Sequence, residues 1–222
     1  MQDIIELHLN FYNRIFSDLE VREKLKREKI SILNGFIENS ELVRRYNREF
    51  YISKTPRIVF CGINPGRNGA GKTGIPFIDY NGASQLLSDN DQNDKEASAQ
   101  FILSVITEIG KEEFHNTVYM TNLSWFGFKQ GKKNLNYYKL PSPLKSTFTD
   151  SFLEEMDIVQ PKLIIPLSKE VEKALKQMKK EGRLIYPLST RLPHPYYCSI
   201  GENANKYKDD YINRIKGSKE SF

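Results

Sequence analysis

The sequence predicts an α/β protein: a three-layer α/β/α sandwich around a mainly parallel four-stranded sheet, preceded by a helical N-terminal extension. Three observations lead there. Short apolar runs at Ile58–Ile63, Thr117–Asn122, Pro161–Leu167 and Arg183–Ser189 alternate with segments of helical periodicity. The third run is nearly continuous in apolar residues, as a strand covered on both faces requires. The first breaks at once into a Gly- and Pro-punctuated loop, the way such sheets present ligand-binding groups at their carboxyl edge.

The elements follow in order. Residues 3–50 read as helices, with Ile4, Ile5, Phe11 and Ile15 on one apolar face. The charged run REKLKREK is a solvated helix face, and Asn39 or Ser40 caps a further helix. After the first strand and its loop, Asn81-Gly82 signals a turn, Ala83–Leu87 one helical turn, and Asp89–Asp94 a polar loop. Glu96–Gly110 is an amphipathic helix ended by its glycine. The second strand ends at Asn122. Beyond it aromatics and cations interleave (Trp125, Phe126, Phe128, Lys129, Lys132, Lys133). Two readings of that stretch stay open: a surface on which bases stack, or a long loop whose rings pack on the core. A helix follows from Ser142 to Met156, then the third strand, a helix capped by Ser168, the fourth strand, and a last helix over 203–215.

With 222 residues the chain forms one domain (1–222), its first 50 residues a helical part and 55–216 the α/β core. Hydrophobic and charged contents of 39% and 27% are those of a globular protein, and no apolar run approaches the roughly 18 residues that span a bilayer. The opening residues lack the basic and apolar regions of a signal peptide, so a cytoplasmic location is expected. Two cysteines, Cys61 and Cys198, form neither a disulfide framework nor a metal site. A net charge of +5 is compatible with nucleic acid.

Two machines use a strand followed by a Gly-rich loop. Gly66–Thr73, GRNGAGKT, fits the phosphate-binding P-loop pattern, in which Lys72 reaches the phosphates and Thr73 holds Mg²⁺. The context opposes it. Gly74 and Pro76 fall inside the helix that must follow, costing roughly 1 and 3 kcal/mol. No apolar strand ends in the Mg²⁺-binding Asp that completes that machine. A P-loop kinase or NTPase is therefore the alternative reading.

The second machine matches at more positions. Gly62-Ile63-Asn64-Pro65-Gly66, then Thr73-Gly74-Ile75-Pro76-Phe77, resembles the first motif of the uracil-DNA glycosylase superfamily, nearest its single-strand-selective monofunctional (SMUG-like) branch. Tyr119–Ser124 is similar to the family's strand ending in a base-reading Asn, and His194-Pro195 to the start of its H-P-S-P motif. The resemblance covers residues 55–216 and implies a DNA glycosylase that excises uracil or a related damaged base without metal or cofactor, acting as a monomer on DNA. It further implies roles. Asn64 positions the attacking water and His194 donates to uracil O2. Asn122 pairs with the O4/N3 edge, Phe77 stacks on the base, and the backbone at Ile63 and Gly66 assists. Arg67, Lys72, Arg191 and Tyr196 are implied contacts to the DNA backbone. The chemistry suits these residue types, because breaking an N-glycosidic bond builds positive charge on the sugar and negative charge on the leaving base. Each also has a plain structural reading: Asn64 as a turn residue before Pro65, Phe77 as core, Asn122 as a strand-end cap. The family's H-P-S-P continues here as His194-Pro195-Tyr196-Tyr197, so a tyrosine replaces the phosphate-contacting serine. A non-catalytic nucleic-acid-binding protein of the same fold is the remaining alternative.

Overall fold

The computed structural model describes residues 2–52, 57–88 and 94–220, with the side chains of 219 and 220 left aside. Most of the polar loop read at Asp89–Asp94 lies outside the described residues. The N-terminal part comprises α1 (Gln2–Ser17), α2 (Leu19–Arg27), β1 (Ile30–Ile32), α3 (Gly35–Glu38) and α4 (Ser40–Phe50). The first core strand, β2 (Ile58–Gly62), is followed by α5 (Ala70–Thr73), α6 (Tyr80–Leu87), α7 (Ala97–Ile109) and α8 (Lys111–Thr117). Then come β3 (Val118–Asn122), β4 (Phe128–Gln130), β5 (Lys133–Leu135), a 3-10 turn at Tyr137–Lys139, and α9 (Ser142–Val159). The chain closes with β6 (Leu163–Pro166), α10 (Lys169–Lys180), α11 (Pro195–Cys198) and α12 (Asn203–Glu220).

The central sheet is parallel, in the order β3-β2-β6, with Gly62 opposite Asn122 and Cys61 opposite Pro166. Every residue of β2 and β3 is buried, which is why neither segment alternates between apolar and polar residues, although β3 ends in the buried polar pair Thr121 and Asn122. Phe60 meets Phe114 of α8 and Tyr211 of α12. On β3, the Tyr119 hydroxyl donates to Glu155 of α9 at 2.8 Å. Glu155 also lies 3.3 Å from Nε2 of His8 on α1, and both side chains are fully buried. His8 stacks on Trp125 with ring centroids 4.0 Å apart. His115, like His8, is structural: Tyr46 donates its hydroxyl to Nε2 and Nδ1–H donates to the Lys111 carbonyl, both at 2.5 Å.

Several expectations are corrected. The sheet has three parallel strands, not four. The segment 183–189 contributes one bridge, Leu188 to Ile164, because Pro187 has no N–H to donate and Ile185 faces solvent. Residues 3–50 are not all helical: Ile30–Ile32 is a strand, in a second, antiparallel sheet of order β1-β4-β5. Of the two readings of the aromatic–cationic stretch, the one in which its rings pack on the core holds, though part of the stretch is a β4–β5 hairpin rather than loop. Trp125, Phe126 and Phe128 are buried, whereas Lys129, Lys132 and Lys133 are exposed on the β4–β5 hairpin. Asn81 and Gly82 lie inside α6, where Asp79 accepts the Gly82 N–H at 2.7 Å and so starts the helix earlier. The helix α8 was not foreseen, and α12 runs on to Glu220.

Candidate active site at the strand ends

A cleft of about 570 Å³ opens at the carboxyl ends of the parallel strands. Its wall includes Ile63, Asn64, Gly66, Phe77, Asn122 and His194, the side chains and backbone singled out for catalysis and base binding. That volume is in the range of small-molecule sites. The strands hold these residues together beyond their own ends: Leu123 N–H donates to the Gly62 carbonyl at 3.0 Å, and Ser124 N–H to the Ile63 carbonyl at 3.2 Å.

Asn64 is clamped by the end of β5, the 3-10 turn after it and its own neighbour Pro65. The Tyr137 N–H donates to its Oδ1 at 2.9 Å, which fixes which end of the amide is oxygen. Its Nδ2 donates to the carbonyls of Leu135 and Pro65, each at 3.3 Å. Both amide hydrogens are therefore engaged, and the capacity left is one acceptor site on Oδ1.

Asn122 is buried at the end of β3, and its side-chain amide makes no hydrogen bond among the described residues. Phe77 lies beside it. Its φ of +61° is left-handed, a conformation that costs a non-glycine residue roughly 1–2 kcal/mol. Gly62 leaves room for both: a Cβ there would overlap the Asn122 Oδ1 and the Phe77 ring. The glycine is therefore required by close approach rather than by its φ.

His194 sits at the N-cap of α11, and its Nδ1 accepts the Tyr196 N–H at 3.1 Å. A backbone N–H can only donate, so Nδ1 carries no proton and the neutral ring carries its proton on Nε2. Burial pushes the imidazole pKa below its ordinary value, which favours that neutral form. The loop itself is anchored by the Tyr211 hydroxyl, which donates to the Pro193 carbonyl at 2.6 Å.

The four residues expected at the DNA backbone are dispersed. Tyr196 lines the cleft and is half exposed. Arg67 is exposed at the start of the loop, its N–H donating to Asn134 Oδ1 at 3.2 Å. Lys72 pairs with Asp94, and Arg191 with Glu172 at 2.7 Å; neither lines the cleft. The P-loop geometry is absent here. The helix after the Gly-rich loop spans four residues and stops at Gly74, whose φ is +78°. Thr73 is fully buried, its hydroxyl donating to the Ile78 carbonyl at 2.6 Å instead of facing a metal site.

Sequence reading missed Asn68, Glu96, Ser98, Asn134 and Asn136, which also line the cleft. Glu96 caps α7 by accepting the Ala99 N–H at 3.0 Å, and Ser98 donates to its other oxygen at 3.0 Å. The start of an amphipathic helix at Glu96 was legible. That the same residue borders the cleft was not, because the approach of Gly69 to Glu96 is a tertiary contact.

No helix among the described residues is long and apolar enough to cross a membrane. No curated protein matches the chain. Among solved structures, the crystal structure of wild-type Pedobacter heparinus SMUG2 is similar, with 25% sequence identity and a TM-score of 0.75 over 86% of this chain and 89% of that one. The family model for the uracil DNA glycosylase superfamily matches residues 50–216, the region that contains all three cleft-forming strand ends. On the sequence match and the shared fold together, this chain belongs to the uracil DNA glycosylase superfamily.

Proposed function

We propose that the cleft receives a base flipped out of DNA and that the protein is a monofunctional glycosylase of the SMUG-like branch, hydrolysing the N-glycosidic bond of uracil or a related damaged base. The observation that carries the reading is the convergence of Asn64, Asn122, Phe77 and His194 on one cleft.

Phe77 stacks on the base, worth roughly 1–3 kcal/mol, and offsets part of the few kcal/mol that flipping costs. Asn122, whose amide both donates and accepts, reads the O4/N3 edge. The single acceptor site left on Asn64 Oδ1 takes one hydrogen of a water and turns its lone pair toward the sugar C1′. As that oxygen bonds to C1′, the bond from C1′ to the base nitrogen breaks and its electron pair leaves with the base; the attacking water gives up one proton, which is taken up by the departing base anion or passes to solvent. His194, neutral and protonated on Nε2, donates to O2 as the negative charge develops there. The backbone at Ile63 and Gly66 lines the same wall. Arg67 and the half-exposed Tyr196 meet DNA phosphates at the rim; Lys72 and Arg191 would first exchange a carboxylate partner for a phosphate.

The test incubates the protein with single- and double-stranded oligonucleotides carrying uracil, hydroxymethyluracil, xanthine or hypoxanthine, followed by alkaline cleavage at abasic sites. Cleavage of at least one, lost by about 100-fold or more in Asn64→Ala and His194→Ala with folding intact, is expected. Salt-dependent DNA binding with no abasic product from any of them would instead identify a non-catalytic binding protein.

A further inference from the structure

The region that defines the family begins at residue 50, yet the residues that back the site loop lie before it. Asn39 stands at the N-cap of α4, where its residue type ordinarily accepts a first-turn N–H. Its side chain makes no capping bond. Instead Nδ2 donates to the Lys72 carbonyl at 2.9 Å and to the Gly35 carbonyl at 3.2 Å. The cap has been diverted to the back of the loop that carries Asn64.

Around this bond the two segments meet backbone to backbone. A Cβ on Gly35 would overlap the Gly71 carbonyl oxygen and stand 2.5 Å from that of Lys72. One on Gly74 would stand 2.5 Å from the Phe36 Cα. One on Gly71 would come within 2.6 Å of both the Gly66 carbonyl oxygen and Leu33 Cδ1. The Leu33 N–H donates to the Gly127 carbonyl at 2.9 Å, and Gly127 abuts the Pro65 carbonyl so closely that any side chain there would overlap it. That carbonyl is one of the two acceptors holding the Asn64 amide. Direct contact therefore runs from Asn39 through Gly71–Gly74 and Gly66 to Pro65.

We propose that residues 30–39, outside the family-defining region, are a working part of the site, and that Asn39 is a positioning residue that sets the 65–74 loop and, through it, the Asn64 amide. The link to catalysis rests on the glycosylase reading; the link to the loop does not. Two variants test both. Asn39→Ala removes the donor, and Asn39→Asp turns a carboxylate oxygen toward two carbonyls. Hydrogen exchange at the Gly71, Lys72 and Gly74 amides, which close the loop onto Gly66, Gly69 and Ala70, is expected to accelerate by about tenfold or more while the β2 amides stay protected. Unchanged loop exchange overturns the proposal without reference to activity.

The second readout is the single-turnover rate constant with saturating enzyme, which a smaller folded fraction does not alter. Asn39→Asp is expected to lower it by about tenfold with DNA affinity little changed, and to add less than about twofold in an Asn64→Ala background. An equal loss in both backgrounds, or none in either, overturns the positioning role. A wild-type protein that makes no abasic product defeats the glycosylase reading itself, and the exchange result then judges the loop contact alone.

Discussion

The two sheets differ in what they give the site. The parallel sheet is wholly buried across β2 and β3 and delivers side chains: Asn64 follows β2, Asn122 ends β3, and His194 follows the segment bridged to β6. The antiparallel sheet is short and half exposed, and with the 3-10 turn that follows it delivers backbone: Leu135 of β5 holds the Asn64 amide through its carbonyl and Tyr137 of the turn through its N–H. One sheet chooses the functional groups; the other orients them. In the proposed reaction the Asn64 amide orients water, which requires that something else fix its plane; the groups that fix it are main chain, indifferent to side-chain identity.

The largest expected effect tests the parallel side. Gly62→Ala places a methyl group where the Asn122 oxygen and the Phe77 ring already are, so the single-turnover rate should fall by about 100-fold or more; a rate near wild type would show that the strand end is looser than its packing. Next is the antiparallel side. Asn64→Asp supplies a stronger base but points a carboxylate oxygen at the Leu135 and Pro65 carbonyls, so the rate should drop by about tenfold rather than rise; a faster enzyme would make the clamp irrelevant.

Acid should separate the two sheets. Burial holds the His115 pKa at about 4, against an ordinary 6.5. Between those values the unfolded chain binds more protons than the folded one, so stability is full above pH 6.5 and is lost as the pH falls toward 4, by roughly 3 kcal/mol. His115 lies in the last turn of the helix leading into β3, whereas β1, β4 and β5 contain no histidine. Denaturant midpoints across this range, with an NMR titration of His115, check it. The smallest effect belongs to Lys72→Ala. The Lys72–Asp94 pair is solvent-exposed, so activity should change by less than about threefold, whereas a phosphate-gripping lysine would be indispensable.

This division explains what could be read from the sequence. Gly62-Ile63-Asn64-Pro65-Gly66, Asn122 and His194 announce themselves because side-chain chemistry is written in residue identity. The three buried strands are legible because burial on both faces demands continuous apolar runs. The hairpin's role is not, since Leu135 and Tyr137 act through atoms every residue has. The strand Ile30–Ile32 is only three residues long and lies in a helix-rich region; its pairing with β4 is a tertiary choice. The same holds for Asn39, whose type predicts a cap and whose surroundings give it another partner. The expected fourth strand fails because Pro187 removes the donor that would extend the ladder, leaving the bridge at Leu188.

The left-handed main chain at Phe77 has a kinetic consequence. The ring is packed against Gly62 with no room for a Cβ between them, on a backbone in the left-handed region, so that wall of the slot is formed before anything arrives. On the glycosylase reading proposed above, waiting then falls to the nucleic acid: capture should keep pace with how often a base leaves its stack, and free uracil should enter in a single fast phase with no slower protein step behind it.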